Sequence, residues 1–501
     1  MKPQAIGLRS WSASYAILCL GLGIAAILSL GPFKGLLAVL GLIGVFVSIS
    51  QPLVALAVLI FANTSLQVIG SSHILGLPSS LSKIYGAIAL GSVILHMVFA
   101  GWRLTASAIY KPIFLFLALV VGWDLAVRYP ETGMLEGTSR LLLTILLTAL
   151  SATIAGQSQR ALDATIMILS AAMALTGIIG LMEHFLPSLA IESDDPRLAL
   201  GALGGVIDSE SLDGVIIKRI TGGIGDANWL SYSIAMSMPL ILYAWQRWTD
   251  FWTRSVVAAF GLLQMIALTL SYTRTGFFGL GIAGLFLFVR GVIPLRLALA
   301  AGTTMLVGLL IYLPPGFLDR MFSQKYLSEG STPLRSLLVT RAADIWLDSP
   351  VLGHGYKAFG FKFYDDVREH LPDDIRLQAW IDDMELAVNE GRELVSNIGA
   401  HNLELEILVE YGAVGLVLFS MVFFAAFREL WRMEKTGPPR LRLLAITLEA
   451  SLLAFLVCSL FGHAKLLKLL WIVLGLVMAA RRISVVGDSP VRSLLAPRSA
   501  R

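Results

Sequence analysis

The chain has 501 residues, of which 56% are hydrophobic and only 14% charged. A soluble globular domain carries about 25% charged residues, so an ordinary water-facing surface over this length is excluded and the bilayer is the natural solvent. The formal net charge of +4 is small, and the Lys and Arg residues cluster between apolar runs, a pattern that suits control of membrane topology better than nucleic-acid binding.

A spanning helix needs about 20 mostly apolar residues. Apolar segments recur at 14–31, 35–50, 51–69, 84–100, 112–127, 139–156, 161–182, 228–246, 255–272, 276–291, 296–314, 402–427, 443–462 and 466–480. Lys2 and Arg9 precede the first of these, which lacks a small-residue cleavage site and leads into further spans, so it reads as a span and not a leader. The expected fold is an all-α, polytopic transmembrane helix bundle of about 12–14 spans. Two pairs are expected to be tight hairpins: one either side of Gln51-Pro52, the other around Gly462-His463. Cys19 and Cys458 lie inside apolar runs and read as reduced packing residues. The expected organisation is a membrane region over 1–200, a second over 201–480 and a tail over 481–501, which is rich in Ser, Pro and Arg after Val486 and reads as disordered.

The Lys/Arg bias sets the orientation. Alternate loops hold Arg103 and Lys111, then Arg160, then Arg247 and Arg254, then Arg290 and Arg296, then Arg428, Arg432, Lys435, Arg440 and Arg442. Both termini fall on that cytoplasmic side. Two long loops, about 183–227 and 315–401, then face outward. The segment 365–393 holds ten acidic and three basic residues, and 375–388 reads as short surface helices.

Outward cations break the pattern at Lys218-Arg219, Arg274, Arg335 and Arg341. Arg274 sits in Ser271-Tyr272-Thr273-Arg274-Thr275-Gly276, a turn of a few residues between two spans. A guanidinium at that depth is costly unless paired or in a wet cavity, so it marks a functional site; the structural alternative is snorkelling along the helix to water. Several outward arginines together suit an anionic ligand, because Arg offers phosphate a planar fork of donors. A lipid-linked diphosphate fits, with its head at the surface and its tail in the bilayer.

The stretch His401-Asn402-Leu403-Glu404 to Glu410-Tyr411-Gly412-Ala413-Val414-Gly415 resembles the signature of the O-antigen ligase and polymerase superfamily: a His-Asn pair, then an apolar helix with Glu-x-Gly-x-x-Gly. Arg341 to Trp346, followed by Pro350-Val351-Leu352-Gly353-His354-Gly355, is similar to that family's Arg-x-x-x-x-Trp and Pro-x-x-Gly-x-Gly segment. Ser271 to Gly276 resembles its Ser-x-x-Arg turn, and Arg219-Ile220-Thr221-Gly222 to Asp226-Ala227-Asn228 its Arg-x-x-Gly loop ending in Asp-x-Asn. The four segments stand in family order over about 215–427. The first 200 residues carry no matching motif.

The resemblance implies a type C glycosyltransferase fold in the bacterial inner membrane. It also implies transfer of a glycan from undecaprenyl diphosphate to an acceptor hydroxyl at the periplasmic face, with no metal and no cofactor. Partners so implied are the lipid-linked glycan donor, a glycan or lipid-linked acceptor, membrane lipids and polysaccharide assembly proteins; ligase and polymerase remain alternatives. A sugar diphosphate leaves with developing negative charge, and fixed cations aimed at it are a large catalytic contribution. That role falls to Arg274 and Arg341, with Arg219 as a third candidate and Arg335 nearby. His401 is the expected general base, since imidazole titrates near about 6.5 and neighbouring arginines favour its neutral form; a capping or interfacial His is the structural alternative. Asn402 and Glu410 are candidate substrate contacts, although a carboxylate in the Glu410 position also suits a buried pair or a cavity wall. Asp226 and Asn228 read as helix-start residues, and Asp226 also as a sugar contact. Gly412 and Gly415 suit close helix packing. His354, Asp348, Asp365 and Asp366 do not have metal-ligand spacing, and Asp124 and Glu449 suit buried pairs or a cavity lining. Competing functions are a small-anion carrier of the bicarbonate type, which would show broken helices near the midplane, and a non-catalytic component of a polysaccharide export complex.

Overall fold

The computed structural model describes residues 32–66, 81–127, 134–186, 210–212, 215–217, 219–296, 303, 331–369, 378, 398–462 and 464–486. Among the described residues the regular elements are helices and one short hairpin. In chain order the helices are α1 (Pro32–Ser50), α2 (Pro52–Asn63), α3 (Leu81–Ala100), α4 (Tyr110–Val127), α5 (Met134–Ala155) and α6 (Gln159–Phe185). The antiparallel strands β1 (Glu210–Leu212) and β2 (Val215–Ile217) follow. They lie in the first long loop, and the fold is all-α as expected. Next come α7 (Ala227–Arg247), α8 (Phe251–Leu270), α9 (Arg274–Val289), α10 (Ser331–Asp348), α11 (Ala358–Glu369), α12 (Leu403–Thr436), α13 (Pro439–Ser459) and α14 (Lys468–Val486).

Among the described residues, α3, α4, α6, α8, α12, α13 and α14 are long and apolar enough to cross a membrane, and shorter apolar stretches lie in α1, α2, α5 and α9. The chain is a multi-pass helical membrane protein. The expected spans at 14–31 and 296–314 fall outside the described residues except for Arg296 and residue 303, as do Cys19, Lys218, the tail beyond Val486 and, save Gln378, the acidic stretch after Glu369.

The expected hairpin at Gln51-Pro52 turns on a one-residue break: Ile49 O accepts from Ser92 Oγ and Gly44 lies beside Tyr85, so α1 runs along α3, whereas Asn63 meets Ser82, so α2 runs back against it. Gln51 N donates to Val47 O, and Gln51 O accepts from Val54 N and Ala55 N, so helical bonding runs up to and away from the break. Pro52 lacks the N–H that would continue the ladder, so α1 ends here and the chain turns. The second pair also turns back, between Ser459 at the end of α13 and Lys468 at the start of α14.

α7 explains why hydropathy alone is an uneven guide here. It carries the buried Ser231, Ser233 and Ser237, and packs on α6, α8, α9 and α13. Ser237 Oγ donates to Gln264 Oε1 at 2.5 Å, one of the bonds that satisfy these polar groups inside the bundle. A helix enclosed by other helices need not be apolar towards lipid. Small residues bring the backbones together elsewhere. A Cβ at Gly475 of α14 would meet Ser151 Cβ of α5 at 2.7 Å, and one at Gly279 of α9 would meet Cys458 Sγ of α13 at 2.6 Å. Because α5 packs on α14 and α4 on α12, the regions 1–200 and 201–480 share one packed interior.

The two ends of the bundle differ chemically. At one end Arg247 pairs with Asp163 at 2.6 Å, Arg481 with Glu429 at 2.9 Å, and Arg290 with Glu434 and Glu449. There Arg482 Nη1 also donates to Arg103 O. These are the loops that the Lys/Arg bias assigns to one side. The opposite end holds Arg219, Arg274, His401 and the segment 460–467, and it carries the candidate site.

Candidate active site

The loop before α7 is built around a buried carboxylate. Glu183, near the end of α6, accepts from Thr221 N at 2.7 Å, Gly222 N at 3.1 Å, Gly223 N at 3.3 Å and Thr221 Oγ1 at 3.1 Å. Successive N–H groups that converge in this way form an anion-holding nest, and here the anion is part of the protein. Gly222 and Gly223 adopt φ of 60° and 77°, which L side chains avoid. Sequence reasoning missed Glu183, because the contact spans 38 residues and no local spacing signals it.

Arg219, at the head of that loop, is buried and braced. Its Nε donates to Ser271 O at 3.0 Å, and its Nη2 donates to Asn228 Oδ1 at 2.9 Å and Thr273 Oγ1 at 2.8 Å. It thereby ties the loop, the start of α7 and the α8–α9 turn together. Asp226 is the N-cap of α7 and accepts from Trp229 N at 2.8 Å. The same turn presents Arg274 as the first, half-buried residue of α9.

The α9 entry meets the α13–α14 segment. Phe278 packs edge-on against Phe461 with centroids 6.4 Å apart, and Tyr232 Oη of α7 donates to Phe461 O at 3.3 Å. The Tyr232 phenol lies in the electrostatic reach of Arg335, Asp226 and Arg219, which places the half-buried Arg335 of α10 at this end. Asn402 is the N-cap of α12, accepting from Leu405 N at 2.8 Å, and its Nδ2 donates to Leu460 O at 3.0 Å. Arg274 and His401 therefore adjoin groups that meet at Leu460 and Phe461.

Arg341 of α10 forms ion pairs with Asp366 of α11 at 3.3 Å and with Asp344 at 3.8 Å. Its neighbour Ala342 packs in an apolar cluster with Leu338, Phe359, Phe363 and Ala400, next to His401. Asp366 thus ties α11 to α10 beside Arg341.

α12 is interrupted at Gly412, where φ is 61° and ψ is −165°. The Pro350–Gly355 segment docks on the break. His354 N donates to Val409 O and Gly355 N to Glu410 O, both at 2.8 Å, while Ala413 N donates to Pro350 O at 2.8 Å and Val414 N to Val351 O at 3.2 Å. The backbone groups freed by the interruption are satisfied by the loop, as buried backbone requires. A Cβ at Gly412 would meet Val351 C and O at 2.2 Å, so the glycine serves both the conformation and the close approach. His354 is a loop anchor, its Nε2 2.9 Å from Ile345 O.

Glu410 is buried and pairs with Lys465 rather than with an arginine. Lys465 Nζ also lies 2.9 Å from Glu406 Oε1, and Lys357 N donates to Glu410 Oε1 at 2.9 Å. Burial works against a charged Lys465, but Glu406 and Glu410 outweigh it and hold the ammonium above its ordinary pKa. The Tyr356 phenol, pushed up to about 12 by burial, stays neutral, with Lys465 Nζ 5.0 Å from its ring centroid. Asp124 of α4 accepts from Tyr356 N at 2.9 Å and from Tyr411 Oη at 3.4 Å. Asp124 is thus hydrogen-bonded inside the bundle, and Glu449 pairs with Arg290 at 3.5 Å.

Tyr272, Lys357 and His401 are the non-glycine residues with positive φ among the described residues, at 51°, 57° and 49°. Such backbone costs on the order of 1–3 kcal/mol and clusters at functional sites. All three belong to segments of this end of the bundle. Among the described residues, no three His, Cys, Asp or Glu side chains converge as a metal-sized group.

Residues 257–420 match the model of a protein family described as O-antigen ligase. The matched span includes Arg274, Arg335, Arg341, His401, Asn402 and Glu410, and covers less than half of the chain. No curated protein matches the sequence.

Proposed function

We infer from the O-antigen ligase domain at residues 257–420, which supports the O-antigen ligase and polymerase superfamily, that this chain is a membrane glycosyltransferase. The coarse function, glycan processing in a membrane, follows from the domain itself. The finer reading is transfer of a glycan from undecaprenyl diphosphate to an acceptor hydroxyl at the periplasmic face of the bacterial inner membrane. The observation that carries it is the meeting of the α9 entry, bearing Arg274, with the α12 entry, bearing His401, around Leu460 and Phe461.

In this reading the acceptor oxygen attacks the anomeric carbon while its proton passes to the His401 imidazole. The bond from that carbon to the diphosphate oxygen breaks, and its electrons leave on the diphosphate. Arg274 and Arg341 oppose the new charge, with Arg335 close by. Arg219 acts through the turn that it braces, because two of its nitrogens are already committed to Ser271, Asn228 and Thr273. Asp226 and Asn402 act as helix caps that hold their segments in place.

The break in α12 is a feature that a small-anion carrier would share. The N–H groups freed at the break, those of Ala413 and Val414, donate to Pro350 O and Val351 O, however, so they are not offered to a passing anion, and the transfer reading is favoured. The test is reconstitution with a lipid-diphosphate-linked glycan and candidate acceptors. Wild type should form product, and His401→Ala and Arg274→Ala should lose it while still folding. Anion uptake by the wild type, with no glycan transfer, would overturn the reading.

A further inference from the structure

One face of α12 changes character along its length, far from the candidate site. Val417, Met421 and Phe424 are exposed and stand at i, i+4 and i+7, so they share that face. Arg428, Arg432 and Lys435 continue the same spacing, with Trp431 beside them. Arg428, Trp431 and Lys435 are exposed and Arg432 is half-buried. From Leu403 to Phe424 the helix rises about 30 Å at about 1.5 Å per residue, the thickness of the hydrocarbon core of a bilayer. The apolar part of the face therefore lies along acyl chains, and the basic part begins at the level of the headgroups. Trp431 suits that boundary, where an amphipathic ring is at home.

The acids of this stretch are committed to other helices. Glu429 pairs with Arg481 of α14 at 2.9 Å, and Glu434 with Arg290 at the end of α9. Arg290 is shared in turn with Glu449 at 3.5 Å. Among the described residues, no acid pairs with Arg428, Arg432 or Lys435. The entry to α13 adds Arg440 and Arg442, both exposed, and Arg442 Nε donates to the backbone carbonyl of Glu434 at 3.1 Å. Like charges gathered in this way favour an anion among them. A water-soluble acidic partner would meet the cations alone. An anionic phospholipid meets both halves of the face, its headgroup the cations and its chain the apolar residues above them.

We propose that Arg428, Arg432 and Lys435 hold the phosphate of an anionic bilayer phospholipid whose acyl chain lies along Phe424, Met421 and Val417. The site is at the end of the bundle opposite Arg274 and His401, and it stands whether or not the chain transfers glycan.

The purified full chain, in phosphatidylcholine nanodiscs that carry a minor share of phosphatidylglycerol, is released for native mass spectrometry and the lipids it retains are counted. Wild type should retain phosphatidylglycerol over phosphatidylcholine. Arg428→Gln and Arg432→Gln should each weaken that preference about fivefold, and the double variant about thirtyfold, at the strength typical of one basic residue at an anionic membrane surface. Arg160→Gln removes an exposed cation from α6 at the same end and should leave the preference unchanged. If the double variant does not fold, the single variants carry the test. No preference by wild type would leave the cations to a soluble acidic partner and overturn the proposal. So would an undiminished preference in the variants that fold, or an equal loss in Arg160→Gln, which would mean diffuse attraction with no built site. A dimer that replaces the bound lipid and is lost in Arg428→Gln would give this face to a second copy of the chain, and would overturn it too.

Discussion

Arg219 Nη2 lies 2.8 Å from Thr273 Oγ1, one residue before Arg274, so a buried guanidinium in one loop sets the backbone that presents the next. Arg219→Lys keeps the charge but cannot reproduce a fork that reaches Ser271 O, Asn228 and Thr273 together. Transfer should fall by about a hundredfold, as it does when a preorganised group is displaced by an ångström. Thr273→Val removes one of these acceptors and should cost less. Turnover of a lipid-diphosphate glycan by the two variants, each checked for folding by size exclusion, measures the difference; equal activity of Arg219→Lys and wild type would show that the brace is dispensable.

Glu183 is the parallel case on the other side of the same loop. Glu183→Ala leaves the N–H groups of Thr221, Gly222 and Gly223 without their shared acceptor, at a cost of about 1–3 kcal/mol for each buried group left unsatisfied. The melting temperature should drop markedly. Glu183→Gln retains one acceptor oxygen and should fall between the two. A melting curve for Glu183→Ala that overlays the wild type would sink this account of the loop.

The Lys465 ammonium is the counter-charge for two buried carboxylates. Lys465→Met should destabilise the protein by about 3–5 kcal/mol, the usual consequence of leaving a buried charge uncompensated. Lys465→Met combined with Glu406→Gln and Glu410→Gln should recover much of that loss. Chemical denaturation in detergent compares the single and triple variants, and a triple variant no more stable than the single one would count against a coupled ion cluster.

These residues show which parts of the molecule a linear reading reaches. Membrane class, most helix positions and the segments around Arg274, Arg341 and His401 are legible because hydropathy, charge bias and short spacings are local signals. Lys465 and Glu183 are not. Lys465 meets Glu410 across 55 residues, and it stands between apolar runs where a lysine reads as an ordinary topology charge. Glu183 ends an apolar helix and looks like an interfacial acid. The role of Gly412 was only half visible, because spacing suggests packing whereas the positive φ and the docked Pro350–Gly355 segment emerge only in three dimensions.

Gly412→Ala tests that docked break. A Cβ would sit 2.2 Å from Val351 C, and the backbone at φ 61° and ψ −165°, a region essentially confined to glycine, adds roughly 1–3 kcal/mol for any other residue. The variant should express poorly or melt well below wild type. Val351→Ala should not rescue it, because the clash is with backbone atoms. Gly281→Ala in α9, where nothing lies within 4 Å of the new Cβ, is the matched control and should be neutral or slightly stabilising, since Ala is the better helix former by about 1 kcal/mol. Similar melting of Gly412→Ala and Gly281→Ala would show that the segment yields easily and that the interruption in α12 is not held in place.

His401 combines a strained backbone with the proposed proton transfer, and the two can be separated. Its φ of 49° is a conformation that Asn tolerates better than most residues. His401→Asn should therefore fold and melt like wild type while losing the imidazole. The loss in turnover should be about a hundredfold or more, the usual contribution of a general base, with donor KM little changed, since in the proposed mechanism the donor is held by Arg274 and Arg341. His401→Ala adds backbone strain to the same chemical loss and should be less stable as well as inactive. If His401→Asn keeps full turnover, His401 is a turn residue at the entry to α12, and the proton must leave by another route.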